Sequence, residues 1–264
     1  MDKSVKDLLS AWRGIPLTKP PYILEGDRIE GFCHPYRCFT DYIRDPNFGD
    51  VSVSSNKFHS GLIPIPYSGN IQRAKIYILT LNPGFGPHDY YAESYDKSFR
   101  DARIQQLRQQ KLDKDFPFMG LNPSFLWHSK YWIKRFGDII HIIKKQKKNV
   151  SYTSALSLLS QSIACLEYIP YHSISFGLKK AVINGMRSPK IVKAFVDDYV
   201  IPRVIKGDAF IIVTRNVDLW LSKEQQKLKN VVTYNATESR AAYLNSKSRG
   251  GKIIAEAMEI KIDS

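Results

Sequence analysis

Polar side chains that can do chemistry stand where apolar runs of the sequence end. Asn82 follows the first run, Glu167 closes the second with His172 shortly after it, and Arg215 and Asn216 follow the third. An amide, a carboxylate, an imidazole and a guanidinium suit a reaction that passes through an oxocarbenium-like state without a metal. Cleavage of a glycosidic bond is the simplest reaction of that kind.

Four strand-like apolar runs alternate with helical patterns along the chain. The predicted strands cover residues 75–80, 163–168, 208–214 and 230–234. Such alternation is typical of a parallel sheet with helices on both faces. The sequence therefore predicts an α/β fold, with three αβα layers around a central parallel sheet of four strands. Because the carboxyl ends of parallel strands share one edge, we expect the polar residues named above to meet there.

Apolar residues at helical spacing predict the other elements. The predicted helices cover residues 3–12, 96–114, 130–148, 152–163, 188–205, 217–227 and 252–260. Residues 14–69 are rich in Pro, Gly, Tyr and Phe, so we expect residues 1–70 to form a mostly irregular extension packed on a single domain of residues 1–264. The residues Pro64, Pro66, Ser68 and Gly69 predict a loop before the first core strand.

The composition favours a polyanionic partner. The chain has 39 basic and 25 acidic residues and a formal net charge of +14, which favours nucleic acid; the alternative is a generally basic protein. We expect DNA as the partner, and no obligate protein partner. Three cysteines, an odd number, argue against a disulfide framework. With no apolar run of ~18 residues and no signal-peptide core, the sequence predicts a cytoplasmic protein without a membrane partner.

Patterns for cofactors and metals are weak. The cluster Cys33, His34, Cys38 and His59 could hold zinc, but its spacing matches no standard C-x2-C pair, and buried thiols with a surface histidine are favoured. The sequence contains no P-loop, no G-x-G-x-x-G, no G-x-S-x-G and no H-E-x-x-H motif. We therefore predict neither a cofactor nor a metal.

Two regions are predicted to contact DNA. The aromatic loop 115–129 is suited to base stacking, with core packing as the alternative for each ring. The basic helix 130–148 could contact phosphate or simply present a solvated face. After the third and fourth strands we expect DNA contacts, as opposed to surface decoration, from Asn216, Arg240, Tyr243, Lys247 and Arg249.

Three short motifs, taken in order, resemble the uracil-DNA glycosylase superfamily. The resemblance is strongest to its single-strand-selective and mismatch-specific branches, which remove pyrimidines. The motifs are Leu81-Asn82-Pro83-Gly84, Pro117-Phe118-Met119-Gly120 at a larger spacing than in the family, and Leu166-Glu167-Tyr168-Ile169-Pro170. The likeness covers roughly residues 75–250. It implies a four-stranded sheet of the uracil-DNA glycosylase type and excision of a flipped base, leaving an abasic site.

The resemblance also implies a role for each matched position. Asn82 would hold the attacking water, Phe118 or its neighbour Phe116 would stack on the extruded base, and Glu167 would read the base edge. We place Gly84 and Phe85, at the same turn as Asn82, with the base-binding residues. The alternatives are a turn-capping role for Asn82 and a buried acid paired with arginine for Glu167.

The sequence departs from the family at its last motif. The family has His-Pro-Ser after a strand, where this chain has Thr214-Arg215-Asn216. The resemblance therefore implies that Arg215, or His172 from the neighbouring strand, supplies the stabilising charge; a salt bridge and a structural histidine are the alternatives. The iron-sulfur cysteines of other branches are absent as well.

Glutamate at the base-reading position suggests which base is removed. The family's asparagine donates and accepts, which suits uracil, whereas a carboxylate only accepts and suits the N4 amine of cytosine. We expect a modified cytosine as the target, such as the glucosylated hydroxymethylcytosine of phage DNA that bacterial antiviral members of the superfamily remove. The alternatives are a uracil or mismatch repair glycosylase, a non-catalytic nucleic-acid-binding protein on the same fold, and a hydrolase of free nucleosides or nucleotides.

Overall fold

The computed structural model of the chain describes residues 2–48, 56–128, 130–147, 150–235, 237–238 and 244–262. They form two compact units. The first unit comprises Met1–Tyr67, Leu81–Gln110 and Glu167–Phe195, and the second comprises Ser68–Thr80, Lys111–Leu166 and Val196–Ser264. That residues 1–264 form one domain stays a prediction.

One five-stranded, mostly parallel sheet lies almost entirely in the second unit. Its strands are β1 (Tyr67–Gly69), β2 (Ile76–Thr80), β3 (Ile163–Glu167), β4 (Phe210–Val213) and β5 (Val231–Thr233). They are ordered β1-β3-β2-β4-β5, and β4 pairs in parallel with both β2 and β5. The predicted α/β class and the four predicted strands are confirmed; the end residues Tyr67 and Glu167 belong to the first unit.

The sheet has one strand more than predicted. Residues 67–69, predicted as part of a loop, form the edge strand β1 next to β3. Gly69 allows this close pairing, because it has a φ of +87° and a Cβ there would lie 2.4 Å from the carbonyl oxygen of Ile163. Three residues are too few to show an alternating pattern, so only the pairing with β3 defines this strand.

Helices occur in both units. The first unit contains α1 (Lys3–Arg13), α2 (Phe39–Tyr42), α3 (Pro87–Tyr95), α4 (Lys97–Arg108), α8 (Lys180–Gly185) and α9 (Ser188–Phe195). The second contains α5 (Lys130–Phe136), α6 (Ile139–Gln146), α7 (Tyr152–Ser162), α10 (Ile201–Ile205), α11 (Val217–Trp220) and α12 (Arg249–Ala257). The structure has no helix long and apolar enough to cross a membrane among the residues it describes.

Several predicted helices have different bounds in the structure. The predicted helix 130–148 divides into α5 and α6, because Gly137 between them has a φ of +55°. The predicted helix 96–114 ends at Arg108, where Gln109 adopts the left-handed conformation. A π-helical turn, Val196–Val200, separates α9 from α10. Helices α2, α3 and α8 were not predicted.

The core of the second unit lies against one face of the sheet. Ile76, Ile78 and Ile212 point to this face and pack with the apolar sides of α5, α6, α7 and α12. Tyr77 points the other way, as alternation along a strand requires, and the Arg203 guanidinium lies 5.6 Å from the centroid of its ring. Helix α10 therefore lies over the second face of β2 at Tyr77.

The first unit has its own apolar interior. Leu8, Leu9 and Trp12 of α1 are buried, and α1 packs against α4 and α9. A second cluster contains Phe58, Ile169 and Tyr171. This second cluster supports the segments that carry the predicted site residues of the first unit.

Candidate functional site

The turn that follows β2 presents an asparagine in one fixed orientation. Nδ2 of Asn82 donates to the carbonyl oxygen of Pro83 at 3.0 Å and to Oγ of Ser173 at 2.9 Å. A carbonyl oxygen can only accept, so the amide nitrogen must face Pro83. Among the described residues none donates to Oδ1 of Asn82. The half-buried side chain thus has its donors occupied within the protein and its acceptor oxygen available.

A second segment, residues 169–173, runs beside this turn. The amide of Ile169 donates to the Leu81 carbonyl at 2.8 Å, and the amide of Ser173 donates to that of Pro83 at 3.3 Å. Nδ1 of the buried His172 lies 2.8 Å from the carbonyl oxygen of Gly84. Because that oxygen only accepts, Nδ1 carries the proton, and this hydrogen bond fixes the plane of the imidazole.

Tyr171 anchors the same segment in the interior of the first unit. Its hydroxyl donates to Oδ2 of Asp27 at 2.7 Å and accepts from the amide of Leu24 at 3.0 Å. Oδ1 of Asp27 accepts from the amides of Arg187 and Ser188. Buried beside Asp27, the Tyr171 hydroxyl has a pKa well above its usual value. The neighbouring His172 and Ser173 are therefore held by a buried polar network.

A third segment, residues 59–66, completes the arrangement. The amide of His59 donates to the His172 carbonyl at 2.9 Å, and the amide of Ile65 donates to the Pro170 carbonyl at 2.8 Å. The amide of Glu167 donates to the carbonyl of Pro66 at 3.0 Å. With only 8% of its surface exposed, the Glu167 side chain is buried. Backbone hydrogen bonds thus join all three segments that carry these polar residues.

Phe85 lies in a stack of rings at this turn. The Phe85 and His59 rings are nearly parallel with centroids 3.5 Å apart, and His34 stacks on His59 at 4.5 Å. His59 is 3% exposed, and neither ring nitrogen has a hydrogen-bond partner among the described residues. Burial, helped by the nearby His34 and His172, lowers the pKa of His59 to about 2. The imidazole is therefore neutral and serves as an aromatic plate beneath the half-buried Phe85.

The predicted stacking residues Phe116 and Phe118 belong to the other unit. Phe118 is fully buried, and its ring meets the Trp132 ring edge-on at 5.0 Å. Its amide donates to Oγ of Ser160 at 2.9 Å. Phe116 is half-buried against the same apolar core. For Phe118 the structure shows the core packing that the sequence left as the alternative.

The residues after β4 and β5 are mostly on the surface of the second unit. Arg215, Asn216 and Lys247 are exposed. Arg249 is ion-paired with Glu238 through Nη2, at 2.8 and 2.9 Å from the two carboxylate oxygens. Arg240 and Tyr243 lie outside the described residues. For Arg249, the ion pair competes with any contact to phosphate.

The first unit therefore gathers five of the predicted site residues: Asn82, Gly84, Phe85, Glu167 and His172. Sequence reasoning did not place Ser173 and His59 at this site. Ser173 directly follows His172, and His59 stood in the predicted cysteine and histidine cluster, where a surface position was favoured for histidine. In that cluster, the Cys33 thiol contacts the Ile29 carbonyl at 3.2 Å, and Cys33, Cys38 and Cys165 are all free.

A surface pocket of about 330 Å³ also belongs to the first unit. Its walls include Glu30, Cys33, His34 and Arg37. None of the predicted catalytic or base-binding residues lines it. The 82–85 turn is thus distinct from this pocket.

The chain was compared with protein-family models, curated proteins and solved structures, and none of the three comparisons found a match.

Proposed function

We propose that this protein is a DNA glycosylase that hydrolyses the bond between deoxyribose and a flipped pyrimidine, with a modified cytosine as the target. The observation that carries the proposal is the orientation of Asn82. With both Nδ2 protons directed to Pro83 and Ser173, Oδ1 is the atom left to accept a hydrogen bond from water. A water held there is oriented for attack on a sugar carbon.

The chemistry follows from what an amide can do. Asn82 can orient a water but cannot take up its proton as a strong base. The bond to the base must therefore be largely broken before water attacks, which is the oxocarbenium-like course of glycoside cleavage. The product is an abasic site together with the free base. Burial and the hydrogen bond from Nδ1 of His172 to Gly84 hold that imidazole at the same turn.

Phe85 is our choice for the aromatic surface that receives the base. It is half-buried, three residues from Asn82, and backed by the neutral His59 ring at 3.5 Å. Extruding a base costs a few kcal/mol of lost stacking, which a new aromatic contact partly offsets. The Glu167 carboxylate, at the end of β3, is the group proposed to accept from the N4 amine of a cytosine. The formal charge of +14 supports binding to the DNA backbone.

The proposal is tested with oligonucleotides that carry one uracil, cytosine, 5-hydroxymethylcytosine or glucosylated hydroxymethylcytosine, followed by alkaline cleavage at abasic sites. We expect strand breaks at a modified cytosine. Asn82→Ala should lower the rate of base release by at least about a hundredfold while DNA binding is retained. Asn70→Ala is the matched control, since Asn70 caps another turn through Oδ1 and should leave the rate unchanged.

Ser173 offers a graded version of this test. Ser173→Ala removes one of the two hydrogen bonds that orient the Asn82 amide. One such bond is worth about 1 kcal/mol, so we expect a loss of roughly fivefold in the rate. An Asn82→Ala protein with full activity would refute the role of the amide. Release of uracil alone would refute the cytosine assignment, and salt-sensitive DNA binding without any abasic product would favour a non-catalytic binding protein.

A further inference from the structure

Helix α5 separates its residues into two sides. Trp132, Ile133 and Phe136 pack against the core of the second unit. At 100° per residue, Lys130, Lys134, Tyr131 and Arg135 fall within one arc on the opposite side. Lys130, Tyr131 and Lys134 are exposed, and Arg135 is half-buried. These four residues, and the exposed Trp127 three residues before the helix, are together called the α5 surface.

Two large aromatic side chains are open to solvent on the α5 surface. Trp127 is 47% exposed and Tyr131 is 53% exposed. The guanidinium carbon of Arg135 lies 4.9 Å from the centroid of the Tyr131 ring. Neither ring belongs to the apolar core of the second unit, to which α5 contributes its other side.

The exposed Tyr131 ring packs against other aromatic rings. The ring of Tyr131 meets Trp132 edge-on at 5.2 Å, and Trp132 in turn stacks on Phe136 at 5.9 Å. Gly120 makes room for this indole, since a Cβ at position 120 would lie 2.5 Å from Cδ1 of Trp132. A ring held in this way loses little conformational freedom when a ligand binds it.

We infer that the α5 surface binds single-stranded DNA by stacking bases on Trp127 and Tyr131 while Lys130, Lys134 and Arg135 contact the phosphates. Bases in a single strand expose their faces to aromatic rings, whereas those in a duplex are covered by their neighbours. The three cations complement the phosphate charge. Helix α5 contains no acidic residue, and both carboxylate oxygens of the nearby Asp138 are bonded to Ser246.

This inference deepens the proposed function, on which it rests for the choice of DNA, by naming the form of DNA and the surface that holds it. The test measures binding without base release, so it stands apart from the glycosylase assay. Fluorescence anisotropy would follow a labelled 20-nucleotide thymidine strand and a 20-base-pair duplex of unmodified sequence at several salt concentrations. Thermal unfolding would confirm that each variant is folded.

The double variant Trp127→Ala/Tyr131→Ala should bind the single strand at least roughly tenfold more weakly, with a much smaller change for the duplex. Lys130→Gln/Lys134→Gln should reduce the slope of log affinity against log salt for the single strand by about 1.4. The matched control is Tyr91→Ala/Tyr95→Ala. These tyrosines are 53% and 62% exposed, on a helix without lysine or arginine, so binding should be unchanged.

The inference is overturned if the Trp127→Ala/Tyr131→Ala variant binds the thymidine strand as the wild type does, or if the tyrosine control loses as much affinity. Equal losses of affinity for the single strand and the duplex would indicate that the α5 surface contacts phosphates of any DNA. That result would also reject the inference. The inference would also be rejected if the wild type bound vesicles with anionic lipid and had no affinity for the single strand.

Discussion

The 82–85 turn and the 117–120 loop are both short and both contain glycine and phenylalanine, yet they differ in which groups they bury. In the turn, the backbone is hydrogen-bonded to residues 169–173, and the amide of Asn82 and the ring of Phe85 stay half-buried. In the loop, the Phe118 ring is fully buried and its backbone is tied to Ser160. A short motif can therefore keep its side chains half-exposed in one place and bury them in a core in another.

The glycines of the two segments also differ in how closely other atoms surround them. A Cβ at Gly84 would meet nothing within 4 Å, whereas one at Gly120 would approach Trp132 and Phe118 at 2.5 and 2.8 Å. Gly84 is exposed and its Cβ position is open, whereas Gly120 lets two aromatic rings pack closely together. The turn can therefore accept a larger residue at position 84, and the loop cannot accept one at position 120.

The largest expected effect distinguishes the two phenylalanines. Phe118→Ala should lower the free energy of unfolding by about 3–5 kcal/mol, since it leaves a cavity in the core. Phe85→Ala should cost about 1–2 kcal/mol, because the ring is only half-buried. Urea unfolding measures both.

The conservative pair Phe118→Leu and Phe85→Leu then separates function from stability. We expect the Phe118→Leu protein to release the base at the wild-type rate and the Phe85→Leu protein to be slowed. If Phe118→Leu slowed base release and Phe85→Leu did not, Phe118 and not Phe85 would be the ring that stacks on the base.

A smaller effect should distinguish the two glycines. Gly120→Ala should destabilise the protein by about 1–3 kcal/mol, because the packed rings must shift. Gly84→Ala should change the stability by no more than about 0.5 kcal/mol. Thermal unfolding of the two variants side by side checks this. If Gly84→Ala slows base release while stability is kept, the methyl group obstructs the site; a destabilisation equal to that of Gly120→Ala would contradict the open geometry of the turn.

The last effect concerns pH, because the imidazole beneath Phe85 can titrate while the indole against Phe118 cannot. The folded-state pKa of His59 is lowered to about 2, below its unfolded value near 6.5. Its contribution to stability is therefore present above pH 6.5 and declines as the pH falls, by up to about 1.4 kcal/mol per pH unit. The stability difference between wild type and His59→Phe should shrink from pH 6.5 to 5 in urea titrations.

Two comparisons sharpen the pH experiment. Trp132→Phe, next to the other phenylalanine, should shift stability by the same amount at every pH, and a slope there would argue against a specific effect of His59.

Burial raises the pKa of Glu93 to about 8, so the contribution of Glu93 to stability is lost as the pH rises from 4.5 through 8. Since this opposes His59 below pH 6.5, the difference between variant and wild type is more informative than the wild-type curve.

Local patterns predicted much of the fold. The strands at 76–80, 163–167, 210–213 and 231–233 were all expected from short apolar runs. Such runs are typical of strands in a parallel sheet, because both faces of that sheet are covered. The edge strand at 67–69 was not, because only its partner makes it a strand. Helix 130–148 was predicted as continuous because its apolar spacing persists through Gly137, whose left-handed backbone conformation sequence alone does not reveal.

The candidate site was predicted in part. Asn82, Glu167 and His172 stand at strand ends that can be identified in the sequence. The bond from Asn82 to Ser173 and the stacking of Phe85 on His59 join residues far apart in the chain, and no local spacing predicts them. The burial of Phe118 was also undecided, because a ring in a loop fits a core and a ligand equally well.

The amino-acid sequence by itself determined the α/β class, the basic charge and the polar residues at the ends of the strands, because burial of apolar runs and net charge depend on residue type alone. The tertiary structure decided which acceptors hold the amide of Asn82, which ring lies beneath Phe85, and that Phe118 packs in a core. These depend on distances between distant segments of the chain, which are set only when the segments pack together.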